Sequence, residues 1–372
     1  MKKKLACLIF AVFILSACVP AEEPVDNSDD AGTTLPEVTM STEQFLEKVN
    51  SAEGGAEFIF QPDAYDNECH ASTLAALEDG TLVSAWFWGT EEGESDVGIW
   101  MSRYEDGNWS EISMAARVMD AAHWNPVLFR DPDQGLFLFF KAGPEIPSWQ
   151  TFWMKSTDGG QTWTEPEELV PGDKGGRGPV KNKPIILSDG SWLAPASTEY
   201  QSWRPFADRS EDGGQTWTRS DDIDMSDEVF KGKGAIQPTF WESEPGKVHA
   251  LMRTQSGVIA RADSEDYGRT WSKAYDAGLP NNNSGIDALK LEDGRILLVY
   301  NPVSENWGHR YPLNLAVSRD NGSTWEDLVS LETEEGEFSY PSIIRTPGGI
   351  AISYTWKRDS VRCWRIPMEV LD

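Results

Sequence analysis

The sequence predicts an all-β fold, a six-bladed β-propeller of four-stranded antiparallel blades, and three observations support this prediction. First, a polar turn recurs as STDGGQTW, SEDGGQTW, SEDYGRTW and SRDNGSTW, and these copies start 54 residues apart at Ser156, Ser210, Ser264 and Ser318. Repeats of this length are typical of propellers and solenoids. Second, six apolar hairpins accompany the turns. Third, the chain has 17 Trp residues and almost no helical periodicity, as expected for stacked sheets.

The N-terminal residues have the pattern of an export signal. Three lysines precede LACLIFAVFILSAC, an apolar run that is too short to span a bilayer but suits a secretory signal peptide over residues 1–17. The end of this run, LSAC, resembles the lipobox of bacterial lipoproteins. In that family the signal peptide is cut before the cysteine, and the cysteine is then lipidated. The resemblance implies an exported protein that Cys18 anchors to a bacterial membrane, at the cell surface or in the periplasm.

Residues 18–50 are expected to comprise the lipidated cysteine, a flexible tether and a short helix. The tether is rich in Pro, Asp, Glu, Ser and Thr and offers little apolar surface to bury. The sequence STEQ at 41–44 can cap a helix that continues through Phe45 and Val49. Residues 51–372 then remain for the propeller.

Composition excludes several classes of function. The formal net charge of −29 argues against binding to nucleic acid or to an anionic lipid surface, although a local basic pocket could still bind an acidic substrate. The sequence shows no zinc-site spacing, phosphate loop or nucleotide fingerprint, so we expect no metal site and no cofactor. Two cysteines, Cys69 and Cys363, follow the tether; they are compatible with one disulfide or with two buried thiols. We expect a monomer.

The hairpins supply the inner half of each blade. Asp-Gly and Gly-Gly turns between apolar runs are strong hairpin signals, and near-continuous apolar strands indicate sheets that are covered on both faces. Residues 57–60, EFIF, are expected to pair with the last blade beside CWRIPMEVL, which closes the ring and hides the sheet edges. The six hairpins are ASTLAALEDGTLVSAWF, NPVLFRDPDQGLFLFFK, KPIILSDGSWLAPAST, QPTFWESEPGKVHALMR, IDALKLEDGRILLVYN and YPSIIRTPGGIAISYTW.

The recurrent turn, Ser-x-Asp-x-Gly-x-Thr-Trp, resembles the Asp-box, or BNR repeat, of sialidases and related propellers. A fifth, degenerate copy is SRYEDGNW at 102–109, and the likeness spans roughly residues 57–372. The resemblance places these turns on the outer rim, away from the axis. The aspartates are therefore expected to accept hydrogen bonds from turn amides and to be structural, not catalytic. They are Asp158, Asp212, Asp266 and Asp320.

Candidate site residues follow from the topology, because the first residues of the innermost strands ring the mouth of the channel. Alignment of the hairpins assigns one residue per blade to this ring: His70, Asn125, Lys183, Gln237, Asp287 and Tyr340. The ends of the second strands should add Lys141, Glu199, Arg253 and Asn301, and Arg310 enters from a loop. Cations gathered at one mouth of an acidic protein suit a carboxylate-bearing glycan, made of sialic or uronic acid. Trp86, Trp88, Trp124, Trp149 and Trp203 are expected either to stack on sugar rings or to pack within the blades.

Sialidases hold the substrate carboxylate with three arginines and use a Glu-activated Tyr as nucleophile and an Asp as acid/base. The resemblance implies that Arg253 and Arg310 are the second and third arginines and that Tyr340 is the nucleophile. It implies Asp96 as acid/base, with Glu94 as a competitor.

Two departures from that pattern leave the activity open. His70 stands where the first arginine is expected, and Gln237 stands where the activating Glu is expected, so Tyr340 needs another base. Glu199 and Asp287 are candidates for this base. The leading hypothesis is a sialidase-like glycoside hydrolase acting on an acidic glycan.

Two alternatives to the hydrolase follow. The first is a polysaccharide lyase that cleaves beside a uronate by β-elimination, with His70 or Tyr340 removing the proton. The second is a lipoprotein that binds acidic glycans without catalysis.

Overall fold

A computed structural model describes residues 38–226 and 228–372. These residues form six antiparallel sheets arranged as the blades of a β-propeller, as predicted. The first strands of neighbouring blades pack against one another, which places them nearest the axis. The predicted signal peptide, Cys18 and nearly all of the predicted tether lie outside the described residues.

Each blade is a meander that runs outward from the axis, and blades 1 to 6 are numbered here along the chain. The first strands are Glu68–Ala76, His123–Asp131, Ile185–Ile186, Ala235–Glu244, Asp287–Lys290 and Phe338–Thr346. The second strands are Leu82–Gly89, Gly135–Ala142, Trp192–Glu199, Lys247–Thr254, Ile296–Tyr300 and Gly349–Trp356. The third strands are Gly98–Glu105, Gln150–Ser156, Trp203–Ser210, Val258–Ser264, Leu313–Ser318 and Ser360–Pro367.

The outermost strands are shorter and less regular. In blade 1 this position is shared by two pieces that both pair with the third strand. The outermost strands are Asn108–Trp109 with Ser113–Ala116, then Glu167–Glu168, Thr218–Arg219, Tyr275–Pro280, Glu326–Glu332 and, in blade 6, Gly55–Phe58.

The ring closes where the sequence predicts. Gly55–Phe58 pairs antiparallel with the third strand of blade 6, with Glu57 opposite Cys363. The amide of Ile59 extends the pairing by donating to the carbonyl of Val361 at 2.9 Å. The N-terminal strand thus covers an edge that would otherwise be open to another chain.

The predicted helix is present as Thr42–Ser51, and two 3₁₀ turns lie at Ile146–Ser148 and Met368–Val370. Ser41 and Gln44 form a reciprocal capping box, in which each side chain accepts a bond from the other residue's amide at 3.3 Å. Phe45 and Val49 are buried against the apolar core between blades 5 and 6. Within the described parts of the chain, no helix is long and apolar enough to cross a membrane.

Apolar side chains fill the spaces between neighbouring blades, in keeping with strands covered on both faces. Between blades 1 and 2, for example, Phe87 and Ile99 pack in one cluster with Trp124 and Leu138. Cys69 and Cys363 are both free thiols, buried in the cluster between blades 6 and 1.

The recurrent turns share one hydrogen-bonding pattern, seen here at Asp212. Its carboxylate accepts bonds from the amides of Gln215 and Thr216 at 3.0 and 2.9 Å and from the Thr216 hydroxyl at 2.5 Å. Gly214 supplies a φ of +90°, and its amide donates to Ser210 Oγ at 2.8 Å. These turns end the third strands, whereas the channel mouth lies where the first strands begin, so antiparallel pairing puts the turns and the mouth at opposite ends of the blades.

Candidate active site

A β-bulge near the start of the first strand shapes the channel mouth. In blades 1, 2, 4 and 6 the pairing with the second strand slips at equivalent positions. The first bulged residue has a positive φ in every case, which is strained for a residue with a side chain and is often found at functional sites. These residues are Ala71, Asn125, Gln237 and Tyr340, with φ of 55°, 45°, 54° and 52°. Asn125, Gln237 and Tyr340 therefore share one position, as expected, but in blade 1 that position belongs to Ala71 and His70 precedes it.

Blade 3 departs from the expected alignment by two residues. Lys181, with a φ of 65°, has the positive φ there, and Lys183 lies beyond it. The hairpin alignment assigned Lys183 to this position because Pro184 follows it, just as a proline follows Asn125, Gln237 and Tyr340.

Lys183 and Asp287 form a buried ion pair instead of facing the mouth. Lys183 Nζ lies 3.0 and 2.8 Å from the two carboxylate oxygens of Asp287. The same carboxylate accepts bonds from Thr239 Oγ1 and from the amide of Ile343, both at 2.9 Å. Asp287 thus joins the segment before the first strand of blade 3 to the first strands of blades 4 and 6, and it is not placed to act as a base for Tyr340.

Lys181 joins blades by hydrogen bonds at the centre of the ring. Lys181 Nζ donates to the carbonyls of Ile286, at 2.7 Å, and Pro341, and so links blade 3 to the segments that form blades 5 and 6. Burial lowers the pKa of Lys181 to about 7.

Two other predicted binding residues do not reach the mouth. Lys141 is fully buried, and its Nζ donates to Thr151 Oγ1 at 2.7 Å and to the carbonyl of Arg177 at 2.8 Å. Burial lowers its pKa to about 7. Asn125 is also buried and does not line the cavity described next. Both side chains are enclosed by blade 2 and its neighbours, so neither is placed to touch a ligand.

A cavity of about 420 Å³ opens at the mouth. Five predicted site residues line it, namely His70, Glu199, Arg253, Arg310 and Tyr340. The remaining lining residues are Glu92, Ile146, Pro147, Tyr200, Trp203, Lys233, Ile236, Trp307 and Arg358. The cavity is therefore shared by all six blades and the loops that connect their strands, with blade 2 contributing the loop that holds Ile146 and Pro147.

Tyr340 and Arg253 form the centre of this cavity. Arg253 NH1 donates to the phenol oxygen of Tyr340 at 2.6 Å and to Gln237 Oε1 at 3.1 Å. The other side of the guanidinium donates to Asn283 Oδ1 at 3.1 and 2.9 Å. Gln237 Nε2 lies 3.5 Å from the phenol oxygen, where sialidases would place a carboxylate. Among the described residues, the phenol oxygen is thus bound by an arginine and an amide and by no carboxylate.

His70 lies against Tyr340 but carries no charge. The two ring centroids are 4.1 Å apart, and His70 Nδ1 is 2.8 Å from Thr355 Oγ1. Burial, followed by the positive charges of Arg358 and Arg310, holds the pKa of His70 well below its usual value. His70 therefore does not replace the missing first arginine as a cation.

Arg358 supplies a cation on that side of the cavity, and the sequence analysis did not identify it. Its carbonyl accepts the amide of Cys69 at 2.7 Å, so the residue sits beside the start of blade 1. Its guanidinium binds Glu92 at 2.8 Å and Glu337 at 3.1 Å. Arg310 also pairs with Glu337. The available signal was its place in the hairpin that joins the second and third strands of blade 6, just beyond Trp356, at the mouth end.

The two predicted acid/base residues of the blade 1 loop do not line the cavity. Asp96 is exposed and accepts bonds from the amide and hydroxyl of Thr90 at 2.9 and 2.6 Å. These hydrogen bonds lower the pKa of Asp96, which is the opposite of what a proton donor needs. Glu94 lies in the same loop, and the residue of this loop that reaches the cavity is Glu92.

The environment of Glu199 raises its pKa, unlike that of Asp96. It ends the second strand of blade 3, opposite Trp203, and its Oε1 accepts Gln237 Nε2 at 3.2 Å. Burial raises the pKa of Glu199, although the nearby charge of Arg253 acts in the other direction. A partly buried carboxyl group with these surroundings retains its proton to higher pH than an exposed glutamate.

The aromatic residues at the mouth differ from most of those expected. Trp203 lines the cavity, with its ring 5.7 Å from the guanidinium carbon of Arg253. Trp86, Trp88, Trp124 and Trp149 are buried within and between blades. Two residues that were not predicted, Tyr200 and Trp307, are 58% and 63% exposed at the mouth. Trp307 also has a φ of +58°, which is strained for so large a side chain.

Comparison with known proteins agrees with this architecture. The sequence profile described as "BNR repeat-like domain" matches residues 80–352. The chain belongs to this family. A sialidase of Bacteroides fragilis (strain YCH46) is 27% identical over an alignment of 198 residues that covers 49% of this chain and 34% of that protein. The BNR-repeat chain thus spans about a third of the length of this relative.

Solved structures show the same sialidase-like propeller. The Hadza microbial sialidase Hz136 has a TM-score of 0.70 at 17% identity, covering 85% of this chain and 69% of its own. The NanB sialidase from Streptococcus pneumoniae has a TM-score of 0.68 at 16% identity, covering 84% and 71%. A protein of unknown function from Dyadobacter fermentans has a TM-score of 0.66 at 18% identity, covering 84% and 98%. At such identities the likeness shows the fold alone.

Proposed function

We propose that this BNR-repeat protein is a glycoside hydrolase that acts on a carboxylate-bearing sugar, a sialic or a uronic acid. One observation carries the proposal: Arg253, Arg310 and Arg358, from three successive blades, line one cavity together with Tyr340. The guanidinium carbons of Arg253 and Arg310 lie 5.6 and 5.8 Å from the Tyr340 ring centroid. An arginine cluster beside a nucleophilic side chain suits a sugar whose carboxylate lies near the reacting carbon, directly on it in a sialic acid and across the ring oxygen from it in a uronic acid.

The arginines differ in how far their charges are already balanced. Arg310 pairs with Glu337, and Arg358 pairs with Glu92 and Glu337. The hydrogen-bond partners of Arg253 in the described structure are the neutral side chains of Asn283, Gln237 and Tyr340. Arg253 therefore offers the least compensated charge, and we assign it the first contact with the substrate carboxylate.

Tyr340 is the proposed nucleophile. Because Arg253 donates to its phenol oxygen, negative charge that develops on this oxygen is stabilised directly. Gln237 cannot accept the phenol proton, so the reaction needs another acceptor, such as solvent entering the open cavity.

The deciding experiment incubates the purified chain with sialyllactose, 4-methylumbelliferyl N-acetylneuraminide and the corresponding glucuronides. We expect release of the free sugar from one of the two classes. Tyr340→Phe should reduce kcat/KM at least about 100-fold without changing the melting temperature. Full activity of Tyr340→Phe on the hydrolysed substrate would overturn the mechanism.

A polysaccharide lyase is the second candidate, and the partners of Tyr340 favour it. Donors surround the phenol oxygen, and the neutral His70 ring lies against Tyr340. Arg253 could stabilise the enolate-like intermediate of a uronate while Tyr340 or His70 moves the proton. Oligomers of a uronate polysaccharide should then yield an unsaturated sugar that absorbs in the ultraviolet; new reducing ends without this absorbance would exclude the lyase. Binding without either product would support the non-catalytic alternative.

We also propose that the protein is exported and anchored to a bacterial membrane by lipid at Cys18. The proposal is supported by the apolar run and the LSAC sequence before the acidic tether. Metabolic labelling with an alkyne-bearing fatty acid should label the wild-type chain and leave Cys18→Ser unlabelled. Equal labelling of the two chains would contradict the proposal.

A further inference from the structure

In the described structure, the carboxylates in or beside the cavity differ in their partners, and Glu68 is one of those bound to Arg358, at 3.6 Å. Glu92 binds Arg358 at 2.8 Å, and Glu337 binds both Arg310 and Arg358. Glu199 is in no salt bridge within the described structure; its Oε1 accepts Gln237 Nε2 at 3.2 Å and Ser197 Oγ at 3.4 Å. A carboxylate held by an arginine is kept ionised and is a poor proton donor. Glu199 makes no such ion pair, and the nearby charge of Arg253 acts on it less than burial does.

The position of Glu199 relative to Tyr340 suits a pair of catalytic groups. Gln237 Nε2 lies 3.2 Å from Glu199 Oε1 and 3.5 Å from the phenol oxygen of Tyr340. The two oxygens therefore flank a single nitrogen atom and line the same cavity. Both groups are thus within hydrogen-bonding reach of one side-chain amide, so a sugar that contacts Tyr340 in this cavity also comes close to Glu199.

We propose that Glu199 is the residue that protonates the leaving glycosidic oxygen and later deprotonates the attacking water. This inference rests on the hydrolase function proposed above and replaces the role that the sequence suggested for Asp96 or Glu94. Burial, which raises the pKa of Glu199, agrees with a group that must carry its proton near neutral pH.

Tyr340 first loses its phenol proton to solvent, and Arg253 balances the charge of the resulting phenolate. The phenolate oxygen then bonds to the anomeric carbon as the bond from that carbon to the glycosidic oxygen breaks. The leaving oxygen takes the proton of Glu199, which becomes a carboxylate. Water then loses a proton to Glu199 while its oxygen bonds to the anomeric carbon, and the Tyr340 phenolate leaves unchanged.

Leaving-group dependence tests this role. An aryl glycoside has a leaving oxygen that needs little protonation, whereas the sugar aglycone of sialyllactose needs much more. Glu199→Gln should lower kcat/KM on sialyllactose about 10²–10⁴-fold, but on 4-methylumbelliferyl N-acetylneuraminide less than about tenfold. If the first screen finds a uronidase, the matching pair is a 4-methylumbelliferyl glucuronide and a glucuronyl disaccharide.

The pH profile supplies a readout that a structural role would not move. Activity that depends on protonated Glu199 falls on the alkaline side of the wild-type profile, because the proton is lost as pH rises. In Glu199→Gln, assayed on the aryl glycoside, this alkaline limb should disappear. Sodium azide should also accelerate the variant by replacing the water that Glu199 no longer activates.

Glu92→Gln is the matched control, since Glu92 lines the same cavity but is paired with Arg358. Its loss of activity should be the same on both leaving groups. If melting shows that Glu199→Gln does not fold, Glu199→Asp, which retracts the carboxyl group by one methylene, should show the same selective loss on sialyllactose.

Two results would overturn the assignment: equal losses of Glu199→Gln on both leaving groups with an unchanged pH profile, or leaving-group dependence in Glu92→Gln instead. A wild-type chain that hydrolyses none of the glycosides overturns the proposed function itself, and the role of Glu199 with it. The two failures are thus distinguished by the wild-type assay.

Discussion

The recurrent turns and the cavity both place polar residues at repeated positions, but their hydrogen bonds differ in kind. The carboxylate of Asp212 is satisfied by donors of its own turn, and the same pattern recurs at Asp158 and Asp320. Arg253 of blade 4 instead bonds to Asn283 in the segment before blade 5 and to Tyr340 of blade 6. A repeated residue with local partners thus stabilises a blade, whereas dissimilar residues with partners across blades build a site.

The two regions also have opposite effects on ionisation. Hydrogen bonds from Thr216 and Thr324 lower the pKa of Asp212 and of Asp320 to about 2. In the cavity, burial raises the pKa of Glu199 and lowers that of His70, so both neutral forms are favoured. The structural turns thus stabilise the ionised form of their aspartates, whereas the cavity favours neutral groups that can donate or accept a proton.

Arg253→Lys is expected to have the largest effect on activity among the variants that compare the cavity with the turns. Lysine keeps the charge but loses the fork that contacts Tyr340 and Asn283 together, so kcat/KM should fall about 10²–10³-fold. Arg269→Ala removes an exposed arginine of a blade 4 turn and should leave kcat/KM unchanged. Comparable losses in the two variants would remove the distinction between turn and cavity.

A gain of activity is expected from Gln237→Glu if the protein is a hydrolase. A carboxylate at this position lies within reach of the phenol oxygen, to which Gln237 Nε2 is 3.5 Å away, and it can accept the proton that an amide cannot. We expect kcat to rise about tenfold or more in steady-state assays. Since Glu199 is adjacent, the two carboxylates should repel and the gain should appear mainly at higher pH.

Asn125→Asp is the control for this gain. It introduces a carboxylate at the equivalent bulge of blade 2, outside the cavity, and should leave kcat unchanged. A Gln237→Glu variant that is no faster than wild type at any pH would count against a Tyr340 nucleophile and in favour of the lyase.

The fold was predictable from the sequence because its signals are local and repeated. The Asp-Gly turns, the four polar turns and the capping sequence at 41–44 each specify a conformation within a few residues. The closure of the ring could be predicted because residues 57–60 form an apolar strand that belongs to no other blade, and the last blade needs a strand at its outer edge.

The site was predictable only in part because side-chain placement depends on contacts between distant residues. Tyr340 and Arg253 could be assigned from their strand positions and Arg310 from the loop before its strand, but Lys183 could not, since the bulge in blade 3 lies two residues earlier. Asp96 was wrong as a cavity residue because Thr90 holds its carboxylate in the loop. Arg358 was missed because its position depends on pairing with Cys69, which is far away in sequence.

The smallest expected effect is that of Asp212→Asn, which breaks a turn without touching the cavity. Loss of the charged acceptor for Gln215 and Thr216 should cost about 1 kcal/mol, by analogy with a helix cap, and lower the melting temperature by a few degrees. Activity at 25 °C should not change. A variant that melts like wild type but has lost activity would place the turn in the site after all.

The pH dependence of this stability difference provides a second check. Because the folded pKa of Asp212 is about 2 and the reference value is 3.8, the charged form is favoured by folding. The stabilisation from this carboxylate is complete above the pKa that Asp212 has in the unfolded chain, and it is lost as pH falls through the pKa that Asp212 has in the folded protein. The melting difference between wild type and Asp212→Asn should therefore be constant above about pH 5, shrink as pH falls, and vanish only below about pH 2. Asp221→Asn is the control. Asp221 is an exposed aspartate of the same blade, and its carboxylate accepts no hydrogen bond from the described residues, so its melting difference should not depend on pH in this way. The same pH dependence in Asp221→Asn would mean that the net charge of the protein, and not the turn, causes the effect.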